Sequence, residues 1–121
     1  MTDLIAAIAV LPPSTWQALL FSAVVFAVFM ALIPHRFDPT RFINDKVKHA
    51  LTFVVLFFLL DLAWPTANVP LWKPVSLFSL GVLIEVFQSM TSYRRFCIRD
   101  ILANSLGILV YIGLRVVVLS V

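Results

Sequence analysis

Charge is scarce in this chain. Asp, Glu, Lys and Arg together make up 12% of it, against 62% hydrophobic residues. A soluble domain of 121 residues with that balance has more apolar surface than it can bury. Cysteine is scarcer still. Cys97 stands alone, which excludes an internal disulfide. It is a loop thiol with no base near it in sequence, so nucleophilic catalysis is not expected of it. There is no glycine-rich phosphate loop, no nucleophile-elbow pattern and no phosphatase signature. No internal repeat or low-complexity tract is present. The segment before Arg36 has no Lys or Arg, and Asp3 stands where a signal peptide carries its basic n-region. The apolar run Leu4–Leu11 stops at Pro12-Pro13, so no cleavable leader is expected and the first long apolar segment is read as part of the mature protein.

What the chain does have is long apolar runs, with a mean hydropathy of +1.05. They come as continuous stretches and not as an alternating or one-faced pattern, which reads as membrane-spanning helices. The expected fold class is all-α, an integral membrane bundle of four transmembrane helices in a single domain, 1–121. The expected spans are about 16–33, 46–64, 71–90 and 100–121. Each holds roughly 18–22 residues, enough to cross about 30 Å at 1.5 Å per residue. Ser14 or Thr15 is expected to cap the first span, and Pro34 to stop it. Pro65 ends the second, and Pro74 falls in the first turn of the third, where a missing N–H does least harm.

The net charge of +3 and pI near 9.5 do not point to nucleic acid, because the basic residues gather in two connections. Arg36, Arg41, Lys46 and Lys48 mark the first, and Arg94, Arg95 and Arg99 the other. The intervening loop has only Lys73, and Arg115 near the C-terminus is a mild exception. The positive-inside rule then puts both basic loops in the cytoplasm and both termini outside. Trp16, Trp64 and Trp72 all map to the charge-poor ends, as an interfacial aromatic belt does. Asp61, near Trp64, is expected to reach the interface on that side and is not counted with the site.

On the basic side seven polar residues fall at the ends of apolar stretches: Asp45, Lys46, His49, Glu85, Gln88, Asp100 and Asn104. Ionisable groups are costly in hydrocarbon, so several at one depth point to a use. Gly81, Glu85 and Gln88 share a helical stripe, as do Asp100, Asn104, Gly107 and Tyr111. The two stripes are expected to face each other, with Gly81 and Gly107 letting the backbones approach. Each residue also has a plainer role. Asp45 and Asp100 suit helix N-caps. His49 suits a buried hydrogen bond, Gln88 and Asn104 suit interhelical bonds, and the arginines suit topology. Glu85 needs a cation or a shared proton, for which Arg94 or Arg99 is in reach.

Asp45-Lys46-x-x-His49, Glu85-x-x-Gln88 and Arg94-x5-Asp100-x3-Asn104-x2-Gly107, in this order and at these helix ends, resemble the VanZ-like family of bacterial membrane proteins. The match runs from about residue 45 to 113 and departs at Tyr93, where a glycine is common, and at Cys97, where an acidic residue is common. The family takes its name from a protein linked to teicoplanin resistance. The resemblance implies a multi-pass protein of the bacterial inner membrane and cell envelope, not a known reaction. Asp45, Lys46, His49, Glu85, Gln88, Arg94, Asp100 and Asn104 are the expected ligand-binding residues. The expected ligand is an anionic lipid or cell-wall precursor, with glycopeptide susceptibility as the phenotype. An enzyme acting on such a lipid, with Glu85, His49 or Asp100 as acid or base, stays open, as does a non-catalytic membrane partner. Neither a metal nor another cofactor is expected, and the partners expected are the bilayer, such a lipid and a membrane protein.

Overall fold

The computed structural model describes residues 10–40, 42–91 and 96–120, and these form helices without a strand among them. The helices are α1 (Pro13–Leu32), α2 (Asp45–Ala63), α3 (Trp72–Ser89) and α4 (Ile98–Ser120), with a single 3₁₀ turn, His35–Phe37, after α1. α1 starts without a side-chain cap, contrary to the cap expected of Ser14 or Thr15. Pro13 occupies its first position, where the N–H is orphaned in any helix, and Pro12 O accepts the Thr15 N–H at 2.9 Å. α2 is capped by Asn44, whose Oδ1 accepts the N–H groups of Lys46 at 2.8 Å and Val47 at 3.4 Å. Asp45 therefore sits inside the first turn, where its charge favours the dipole without serving as the cap.

α2 is the hub. It supplies Phe53, Leu56, Phe57, Leu60 and Ala63 to a core completed by Leu20, Leu77 and Ile108. Phe57 stacks on Tyr111 of α4 at 4.5 Å between ring centroids. α1 buries only Leu20 among its described side chains, and Phe21, Val25, Phe26 and Phe29 point outward. Four spans are expected from the sequence, whereas among the described residues α1 and the segment Ile98–Val118 are the two helices long and apolar enough to cross a membrane by length and composition. α2 and α3 carry Asp45, Lys46, Lys48, Asp61, Lys73 and Glu85 within them.

α2 and α4 run parallel in a nearly constant register. Lys46 meets Asp100, 54 residues on, His49 meets Asn104, 55 on, and Asp61 meets Arg115, 54 on. The stripe Asp100–Asn104–Gly107–Tyr111 thus makes its polar contacts along α2, while Asn104 also packs against Gly81 of the α3 stripe as expected. Charge explains the choice: α2 offers Lys46 and His49 to Asp100, whereas the α3 stripe offers Glu85, of like sign. Gly107 faces the Ala50 carbonyl, where an added Cβ would stand 2.2 Å from the oxygen. Gly81 faces Asn104 and Phe53 instead. Both glycines pack, but against different neighbours and not against each other.

Candidate functional site

The N-terminal ends of α2 and α4 lie together, and their first turns build a polar network. Lys46 Nζ donates to Asp100 Oδ1 and weakly to Cys97 Sγ at 3.7 Å. His49 bridges two α4 side chains, with Nδ1 2.9 Å from Asn104 Oδ1 and Nε2 3.6 Å from Asp100 Oδ2. Asn104 is buried, His49 and Asp100 are largely covered, and the Lys46 side chain remains 42% exposed. One face of the lysine is held by a carboxylate while the other reaches the surface.

Glu85 stands behind this network. It is fully buried, and its Oε1 accepts the Cys97 N–H at 2.8 Å, directly before the first residue of α4. It occupies the position of an anion at a helix N-terminus, where the dipole favours negative charge. Asp100 and Asn104 bond to α2 side chains, and Glu85 meets the start of α4.

The remaining expected residues disperse. Gln88 Nε2 donates to Ala31 O at 2.7 Å and ties α3 to the end of α1. Asp45 lies 3.3 Å from Lys48 Nζ, well exposed, on the α1 side of α2. Lys48 also meets Asp38 Oδ2 at 3.0 Å, and Asp38 Oδ1 accepts the Thr40 N–H at 2.8 Å and hydroxyl at 2.6 Å. Burial works against the Asp38 charge, but the Thr40 hydroxyl and N–H and the Lys48 ammonium outweigh it and hold the carboxyl at about 2. Arg94 lies outside the described residues, and Arg99 is exposed in the first turn of α4. Among the described residues no three His, Cys, Asp or Glu side chains are grouped to hold a metal ion.

A second polar cluster occupies the opposite end, and sequence reasoning missed it. Lys73 Nζ donates to Asp61 Oδ1 at 2.7 Å, Trp64 O at 2.7 Å and Thr66 Oγ1 at 2.8 Å. Tyr111 OH donates to Asp61 Oδ2 at 2.6 Å. Arg115 donates to Asp61 Oδ1 at 3.3 Å and to the carbonyls of Thr66 at 2.5 Å and Ala67 at 3.1 Å. Asp61 therefore turns inward, not to the interface as expected, and Arg115 serves as its partner. The available signal was three charges of complementary sign in an otherwise apolar half, all of them within helices.

With three helix ends converging on Lys46, His49, Asp100 and Glu85, the comparison with known families bears on this chain. The profile of the VanZ/LLP1 family matches residues 4–119. The chain belongs to the VanZ/LLP1 family. The match takes in α1, α2, α3 and nearly all of α4, and so both polar clusters. Neither a curated protein nor a solved structure matches it. The VanZ/LLP1 assignment covers the first helix as well, which the motifs at 45–107 did not reach.

Proposed function

We propose that this VanZ/LLP1 chain is a multi-pass protein of the bacterial inner membrane that recognises the phosphate-bearing headgroup of an anionic envelope lipid or cell-wall precursor, and thereby affects susceptibility to teicoplanin-type glycopeptides. All four helices span the bilayer in this reading, with the Lys46 end in the cytoplasm. The charges of α2 and α3 count less against a span when they are paired inside the bundle, as Lys73 is with Asp61 and Lys46 with Asp100. The outward faces of those helices are apolar, with Leu51, Val55 and Phe58 on α2 and Val75, Phe78 and Leu83 on α3.

Lys46 carries the proposal. Its ammonium is anchored by Asp100 with Cys97 as a weak second acceptor, and its side chain stays 42% exposed, so the third N–H is left to donate to a phosphate oxygen. Arg99 adds a surface cation two residues on from Cys97, and Arg94 and Arg95 belong to the same connection by sequence. The test is native mass spectrometry of the protein released from nanodiscs of mixed phosphatidylglycerol and phosphatidylcholine. Selective retention of phosphatidylglycerol, lost in Lys46→Ala, is the expected result; equal retention of both lipids overturns the proposal. The phenotype is tested by an alanine scan of Asp45, His49, Glu85, Arg94, Asp100 and Asn104 that scores membrane abundance apart from teicoplanin susceptibility.

One observation favours a second reading. His49 is held between Asp100 and Asn104, as a general acid–base histidine is oriented by a carboxylate. An enzyme acting on the same lipid predicts turnover of that lipid by the purified protein, abolished in His49→Gln. A non-catalytic partner role predicts instead that Glu85→Gln keeps fold and phenotype while charge reversal in the basic loops abolishes the phenotype.

A further inference from the structure

α1 and α2 do not close on each other at the Lys46 end. Between them lies a groove of about 470 Å³ of free space, within the range of about 300–1,000 Å³ of small-molecule sites. Its α1 wall carries Ala23, Ala27 and Ala31, spaced one helical turn apart, whose small side chains leave space between the larger Phe26 and Met30 and α2. Thr52, Val55 and Leu56 form the facing wall. Its charged residues gather at one end, where Asp38, Asp45, Lys48 and His49 stand with Thr40 and Gln88; deeper in, the polar Thr52 donates its hydroxyl to Lys48 O.

We infer that this groove takes a single hydrocarbon tail of the lipid whose headgroup Lys46 holds, a proposal that rests on the headgroup reading above. Length supports it. From Asp45 to Leu56 the groove runs roughly 16 Å at 1.5 Å per residue, close to one leaflet of a core about 30 Å thick. Backbone chemistry decides between occupants. An extended peptide would leave its backbone N–H and C=O groups against apolar walls with no partners. A hydrocarbon chain has no such groups to satisfy.

Polarity matches an amphiphile, since the mouth is charged and the depth is not. The rim is open sideways, with Phe26, Leu51 and Val55 exposed, so a tail can slide in from the leaflet. Continuity comes through His49, which lines the groove and also bonds the α4 side of the network. Head and tail sites therefore meet across one turn of α2, with Lys46 on one flank and the groove on the other.

The experiment measures retention of hexadecyl phosphate by the full-length, detergent-solubilised protein, with glycerol phosphate as the tailless control. The wild type is expected to retain hexadecyl phosphate and not glycerol phosphate. Ala27→Phe, which fills the groove, and Val55→Trp, which covers its rim, are each expected to cut retention at least about tenfold at an unchanged thermal transition. If Ala27→Phe fails to fold, Val55→Trp decides, because Val55 is 52% exposed and its replacement needs no repacking. Wild-type retention in the folded variants overturns the groove. Loss in Lys46→Ala alone leaves the headgroup reading standing without the groove. Loss in the groove variants alone leaves the groove standing without that headgroup.

Discussion

Lys73 Nζ lies 2.7 Å from Asp61 Oδ1, and the lysine is completely buried. All three ammonium protons have acceptors, since Trp64 O and Thr66 Oγ1 complete the set. The aspartate is likewise filled by Tyr111 and Arg115. This clamp joins α2, α3 and α4 at the end remote from Lys46. Its saturation marks it as structural, whereas at the other end the Lys46 side chain stays 42% exposed.

Breaking the clamp on one side should therefore be severe. Lys73→Met leaves Asp61 short of its closest cation and is expected to cost about 3–5 kcal/mol. The double variant Lys73→Met, Asp61→Leu is expected to recover part of that loss, because the buried carboxylate is gone and Arg115 keeps the Thr66 and Ala67 carbonyls as acceptors. Thermal unfolding in detergent measures both, and a double variant no better than the single one refutes the account.

The three glycines should rank by what an added methyl meets. Gly107→Ala puts a carbon 2.2 Å from the Ala50 carbonyl oxygen, a backbone atom that yields only if α2 and α4 part. Gly81→Ala meets side-chain atoms, Asn104 Nδ2 at 2.8 Å and Phe53 Cζ at 3.2 Å, which shift more easily. Gly113→Ala meets nothing within 4 Å and is expected to gain up to about 1 kcal/mol of helix propensity. The expected order of thermal transitions is Gly113→Ala highest, then Gly81→Ala, then Gly107→Ala.

Glu85 is expected to act through position and not through exchange of protons. Glu85→Gln keeps an oxygen for the Cys97 N–H and should retain that bond. Glu85→Ala orphans that N–H and should lose about 1–3 kcal/mol. Hydrogen exchange at the first turn of α4 reads the difference, which a charge-only role would not produce between the two variants.

The Asp38–Thr40–Lys48 lock should fail in acid. The folded carboxyl titrates at about 2, below its ordinary 3.8. Its contribution is thus complete above about pH 4 and disappears as pH falls towards 2. Asp38→Asn at neutral pH should mimic the acid state, with faster exchange of the Thr40 amide in both.

Sidedness is tested by a reporter fused after Val121. An external signal is expected if the basic connections face the cytoplasm. A cytoplasmic signal reverses the bundle and puts the Lys46 end towards the cell wall.

Much of this was legible in residue order. Prolines at 12, 13, 34, 65 and 74 bracket helices whose limits follow from the lost N–H and the fixed φ. Lys46, His49, Asp100 and Asn104 were all selected by their position at helix ends, and they do converge. Their partners were not legible. Short connections suggested that the α4 stripe should face α3, but the network pairs it with α2, where the opposite charges lie.

By itself the sequence determined the helical class, the placement of charge at helix ends and the family, because propensity, proline and apolar run length act locally. Only the tertiary structure decided which end is saturated and which keeps an exposed cation. That depends on the parallel register of α2 and α4, which brings Asp61 to Tyr111 and Arg115 at one end and Lys46 to Asp100 at the other. Residues some 50 positions apart meet there by packing, and no local pattern encodes that choice.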